Sequence, residues 1–134
     1  MKGMGGIRFF ALLDVLITAP LAVPGLTHAW ALLLLSAAGL LPVPERWSQF
    51  TPATLLFAQL LGVLGACWNG ARLFRPDDRR LLGIDAVARL AVAVLLVIQL
   101  VVGAPPALGF FVVTELVGAT LAFLYLRRRR AAGW

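Results

Sequence analysis

Three apolar runs of bilayer-crossing length, at 52–74, 81–102 and 107–126, leave this chain few ways to fold. An α-helix advances about 1.5 Å per residue, so roughly 20 mainly apolar residues match the hydrocarbon thickness of a membrane. The composition agrees: apolar residues make up 61% and charged residues 13%, against roughly 25% charged in an average soluble protein. At 134 residues the chain is expected to form one all-α transmembrane domain over 1–134.

The three runs are separated by strong breakers. Pro52 suits a helix start, where its missing N–H costs nothing, while "RPDD" at 75–78 and "GAPP" at 103–106 read as turns. Joints this short predict antiparallel packing of consecutive helices.

The first apolar region is less regular. Residues 9–41 would extend about 50 Å as a single helix, and Pro20, Pro24/Gly25 and Thr27/His28 interrupt it. One arrangement has a crossing over 8–26 followed by a re-entrant or interfacial helix over 29–41; the other has two thin crossings. Charge chooses between them. Ten of the twelve basic residues fall into three groups, Lys2/Arg8, Arg72/Arg75/Arg79/Arg80 and Arg127 to Arg130, each bordering an apolar run. A single early crossing brings all three groups to one side, as the cytoplasmic enrichment of Lys and Arg requires. The expectation is therefore an integral membrane four-helix bundle with crossings at 8–26, 52–74, 81–102 and 107–126 and an additional re-entrant or interfacial segment. Both termini are expected on the cytoplasmic side of a bacterial inner membrane, with the first run retained rather than cleaved. Any irregular backbone near Pro20 or Pro24 must face protein, water or headgroups, and a kinked but continuous tilted helix is the alternative to such a break.

Placed this way, the basic groups are topology determinants and lipid contacts, and the net charge of +6 does not point to nucleic acid. Cys67 is the lone cysteine and excludes an intrachain disulfide. His28 is the lone histidine, so no recognisable metal-ligand spacing or bis-histidine haem site exists, and no cofactor is expected. No phosphate loop, dinucleotide fingerprint or nucleophile elbow occurs, and Lys2 after the initiator excludes a myristoylation signal at "MGGI".

Chemistry then rests on polar residues inside the apolar runs. Asp14 follows Arg8 by six residues, roughly 9 Å inward, and Arg89 lies about 6 Å deeper than Asp85. Asn69 and Arg72 approach the same leaflet from the opposite direction. Asp14, Asn69, Arg72, Asp85 and Arg89 thus form a predicted cluster in the cytoplasmic half. Asp85 and Arg89 share a helix face at i,i+4, and pairing lowers the desolvation cost of each; the alternative is that Arg89 snorkels to the headgroups. Glu115 falls near mid-helix, and its i±3 and i±4 neighbours are Phe111, Val112, Gly118 and Ala119. A carboxyl with no cation on its own helix must be protonated or meet polar groups of another, Gln59 or Gln99 among them.

Small residues mark two further faces. Ala58, Gly62, Ala66 and Gly70 recur every four residues, as do Thr114, Gly118 and Ala122, and such seams let helix backbones approach closely.

Two stretches, "WNGARLFRPDDRRLLGIDAVARLAVAVLL" at 68–96 and "ELVGATLAFLYLRRRR" at 115–130, resemble small bacterial four-helix membrane proteins of the broad DoxX-like kind. The likeness covers about a third of the chain: a basic loop, a helix marked by polar residues, and a last helix marked by an acid. It implies a four-helix inner-membrane bundle and assigns no catalytic residues.

Three functions fit these features. The first is a small membrane protein acting by packing with itself or with a membrane protein partner, among membrane lipids. The second is binding, or acid/base conversion, of a hydrophobic small molecule or lipid, with Glu115 and Asp14 as catalytic candidates and Arg89, Asp85, Asn69, Arg72 and Gln59 as ligand-binding candidates. The third is transport of a proton or small solute by an oligomer.

Overall fold

A computed structural model describes residues 4–37 and 39–131. The described residues are helical, without a strand: α1 Met4–Thr18, a 3-10 turn Ala19–Ala22, α2 Thr27–Leu35, α3 Glu45–Ser48, α4 Pro52–Phe74, α5 Arg79–Val101 and α6 Leu108–Ala131. Four segments are long and apolar enough to cross a membrane: Gly5–Ala22, Pro52–Phe74, Arg79–Val101 and Leu108–Arg128.

The later three long helices begin within two residues of the starts expected for the apolar runs. Their ends are capped by the breakers. Thr51 accepts from the Thr54 backbone N–H at the start of α4, and the Asp78 carboxylate accepts from Arg80 and Leu81 N–H at the start of α5. α6 runs past residue 126 into the basic segment, because arginine is a good helix former and nothing before Ala131 stops the ladder.

The first region departs from a single crossing over 8–26. Pro20 cannot donate to the carbonyl four residues earlier and disfavours helical backbone before it, so α1 ends at Thr18 and tightens into the 3-10 turn. Pro24 and Gly25, the latter at φ +86°, complete the reversal. The segment expected at 29–41 begins earlier and ends sooner, as α2, and at nine residues it extends about 13 Å. Residue 38, within that expected segment, lies outside the described residues, as does Lys2.

Polar groups freed by this break find partners in the protein. Trp30 Nε1–H donates to the Ile17 carbonyl at 2.9 Å, and the buried Thr27 hydroxyl lies 2.9 Å from the Leu21 carbonyl and 3.0 Å from that of Val23. The irregular stretch packs on α4 at Gly62, where an added Cβ would stand 2.5 Å from the Ala22 nitrogen. Gly65 similarly admits Thr18. At the opposite end of α5, Arg46 of α3 donates to the Val102 and Gly103 carbonyls, both at 2.9 Å, closing the helix where Gly103 turns with φ +87°.

Helix α5 packs most closely on α6, and α1 on α4, with α1 also touching α6. Helices α4 and α5 are consecutive and share a short turn, yet they are not among the closely packed pairs. The expected close packing across that turn gives way because Trp68, Arg72 and Asp85 stand between the two backbones. Asp14 meets Arg72, Thr18 meets Gly65, and Gly6 lies against Leu121, so α1 runs antiparallel to both α4 and α6. The start of α1, the turn between α4 and α5, and the end of α6 therefore share one end of the bundle. Arg8, Arg75, Arg79, Arg80, Arg127 and Arg128 stand at that end.

The distribution of side chains inverts the soluble pattern. Leu56, Phe57, Leu61, Val94, Leu95, Phe110 and Val113 face outward, whereas Ala11, Ala86, Ala93, Ala119 and Ala122 fill the interior with Asn69, Arg72, Asp85 and Arg89. Continuous large apolar faces of this kind are costly against water and stable against lipid.

Candidate functional site

Four helices place one charged or polar face each around a common centre. Asp14 comes from α1, Asn69 and Arg72 from the last two turns of α4, Asp85 and Arg89 from the first three turns of α5, and Glu115 from the second turn of α6. The antiparallel arrangement brings positions from 14 to 115 to one level.

Arg89 organises the group by giving each guanidinium nitrogen a different carboxylate. Its Nε–H donates to Asp85 Oδ2 at 3.0 Å, Nη1 to Glu115 Oε2 at 2.9 Å, and Nη2 to Asp14 Oδ2. Its guanidinium carbon also lies 5.8 Å from the centre of the Phe10 ring. The fan fits only because position 118 is glycine: a Cβ there would stand 2.9 Å from Arg89 Nη1. Arg72 forms a second layer, with Nη2 at 3.0 Å from Asp85 Oδ2 and Nη1 at 3.4 Å from Asp14 Oδ2. Nη1 also donates to Asn69 Oδ1 at 3.0 Å, while Asn69 Nδ2 donates to the Gly65 carbonyl at 2.9 Å. Trp68 Nε1–H reaches Asp85 Oδ1 at 3.2 Å.

Both arginines are interior, 3% and 5% exposed at residues 72 and 89, with carboxylates rather than solvent around their guanidiniums. Burying ions costs several kcal/mol each unless partners restore their solvation, and the shared carboxylates supply those partners. Arg72 Nε is the exception, a buried donor without a hydrogen-bond partner among the described residues.

Beside the ion pairs lies an open-sided cleft of about 200 Å³. All four long helices line it, with Asp14, Asn69, Asp85, Arg89 and Glu115 polar and Ile17, Trp68, Val92 and Phe111 apolar. Two oxygens there accept no hydrogen bond from any described residue: Asp14 Oδ1 and Glu115 Oε1. Three carboxylates, Asp14, Asp85 and Glu115, meet two guanidiniums, Arg72 and Arg89, so the fully ionised group carries one net negative charge.

The structure thus gathers Asp14, Asn69, Arg72, Asp85, Arg89 and Glu115, while Gln59 stands apart. It lies ten residues before Asn69 on α4, about 15 Å along the axis, and does not line the cleft. Glu115 meets a cation of another helix, Arg89, rather than Gln59 or Gln99. Trp68 was not among the expected site residues, although hairpin register could have identified it: Trp68 and Asp85 are equidistant from the middle of the 75–78 turn. Among the described residues no group of three His, Cys, Asp or Glu side chains has metal-holding geometry.

No family model, curated protein or solved structure matches the chain.

Proposed function

We propose that this chain is a multi-pass membrane protein that binds a small amphipathic molecule in an intramembrane cleft between its helices. The cytoplasmic membrane of a bacterium is the proposed location, with the basic end of the bundle cytoplasmic. Four sufficiently long apolar helices, their outward-facing large apolar residues and the gathering of arginines at one end support that orientation.

One observation carries the binding reading. The cleft joins apolar walls to two carboxylates, each with one oxygen that accepts from no described residue, and it is built from all four long helices. Apolar enclosure with a few placed polar groups is how small-molecule sites combine affinity with orientation. A site serving stability alone gains nothing from leaving acceptors open in a medium without water. Asp14 and Glu115 are also the groups through which a bound molecule would exchange a proton, so acid/base conversion would use the same cleft. The reading based on self-packing has less support: Gly62 receives the 3-10 turn and Gly118 receives Arg89, so the central glycine of each small-residue seam serves a contact within the chain.

A high-resolution structure of the protein extracted with its native lipids tests the proposal. Density for a non-lipid-tail molecule in contact with Glu115 and Asp14 is the expected result. A cleft closed by side chains, with both carboxylates paired inside the protein, would sink it.

A further inference from the structure

Building on the binding reading, the charge of the cleft defines what class of molecule it takes. We infer that the site selects a primary ammonium carried on a small apolar body, with the ammonium between Asp14 and Glu115 and the apolar body against Ile17, Val92 and Phe111.

Three observations lead there. First, with its three carboxylates ionised, the ion cluster is short of one positive charge. Arg89 has already committed its Nε, Nη1 and Nη2 to three different carboxylates, and Arg72 reaches Asp85, Asp14 and Asn69. Neither has a nitrogen turned to Glu115 Oε1. In a low-dielectric interior an uncompensated charge is expensive, so one added cation is favourable.

Second, the open positions are acceptors from two different helices. Asp14 of α1 and Glu115 of α6 both line the cleft, and Asp14 Oδ1 and Glu115 Oε1 accept from no described residue. A primary ammonium supplies three donors and no acceptor, which suits this pair better than a hydroxyl or an amide would. An anionic headgroup would add to a charge already negative, and Arg72, whose Nε is the open guanidinium donor among the described residues, does not line the cleft. A proton can also neutralise the cluster, and a cationic ligand displaces it.

Third, size and access limit the rest of the molecule. A cavity of about 150 Å³ accommodates a benzene ring, and this cleft is about 200 Å³. One ring or a short branched chain plus the ammonium therefore fills it. The cleft is open-sided, and Ala88 and Val92 on its α5 wall are exposed, so it is reached from the lipid side.

Binding of 2-phenylethylammonium to purified protein in lipid nanodiscs, measured by calorimetry against empty nanodiscs, tests the inference. The neutral comparator is 2-phenylethanol and the anionic one 3-phenylpropanoate. The expected result is saturable one-to-one binding of the cation, at least tenfold tighter than either comparator and at least tenfold weaker in Glu115→Gln. Val92→Trp, a bulky change at an uncharged position lining the cleft, should abolish binding even if the glutamine variant is poorly folded. If the neutral compound binds within threefold of the cation, or Glu115→Gln leaves the affinity unchanged, ammonium selection is wrong while the cleft remains a binding site. If none of the three compounds binds, or Val92→Trp changes nothing, both the selection and the binding reading fail.

Discussion

Replacing Arg89 by methionine removes the one side chain that touches Asp14, Asp85 and Glu115 together while keeping most of its volume. Arg72 would remain near Asp85 and Asp14, at 3.0 and 3.4 Å, whereas Glu115 would lose its one donor among the described residues. The net charge of the cluster would move from one to two negative. Arg89 and Asp85 are 5% and 4% exposed, so solvent screens little of this. Removing one partner of a buried ion pair costs about 3–5 kcal/mol, a large share of a total stability that is typically about 5–15 kcal/mol. Glu115→Gln tests the same electrostatics from the other side. In the natural protein it exchanges a charged acceptor for a neutral one, costing about 1.5–3 kcal/mol less whatever relief comes from removing surplus charge. On top of Arg89→Met it removes an unpaired carboxylate, and should recover about 1–3 kcal/mol. The assay is equilibrium unfolding in mixed micelles followed by far-UV circular dichroism, with the four proteins forming a double-mutant cycle. A sign reversal for Glu115→Gln between the two backgrounds is expected. The reasoning is refuted if Arg89→Met stays within about 1 kcal/mol of the natural protein, or if the glutamine change costs the same in both.

Three other outcomes follow from the packing. Gly62→Ala should destabilise by about 1–3 kcal/mol, because its Cβ meets backbone of the 3-10 turn, whereas Gly70→Ala, with nothing within 4 Å, should be neutral or stabilising; paired unfolding curves decide this. Asp78→Ala should cost about 1 kcal/mol through the lost N-cap of α5, read as a shift in the same unfolding midpoint, and Asp78→Asn should restore most of it. Single cysteines replacing Arg8, Asp77 and Arg128 should all label with an impermeant thiol reagent from the same side of oriented vesicles, and a split between sides would overturn the common basic end.

The membrane-length helices were legible because period and length alone report them, and Pro52, the 75–78 turn and the 103–106 turn mark their limits. Joining Asp14 to Arg72, Asp85 and Arg89 was legible too, since depth is a matter of counting from a basic border. Glu115 was harder. Counting put it near mid-helix without a partner, and only the lateral neighbour, α5, supplies one. Sequence also treated Gly62 and Gly118 as equivalent members of packing seams. One accommodates a backbone and the other a guanidinium, a distinction that depends on what stands opposite rather than on spacing. The break at Pro20 was visible, but the place where helix resumes was not. Thr27 fixes that point through carbonyls of Leu21 and Val23, contacts that exist only after the chain has turned.

Solid-state NMR of the protein in bilayers tests the buried cluster most directly, with nitrogen-15 in the arginine side chains and carbon-13 in the Asp and Glu carboxyls. The account predicts strong dipolar coupling between the guanidinium of Arg89 and the carboxyl of Glu115, lost in Arg89→Lys, and no coupling of Arg89 to lipid phosphorus. Coupling of Arg89 to phosphorus with none to Glu115 would put the guanidinium among the headgroups and contradict the site.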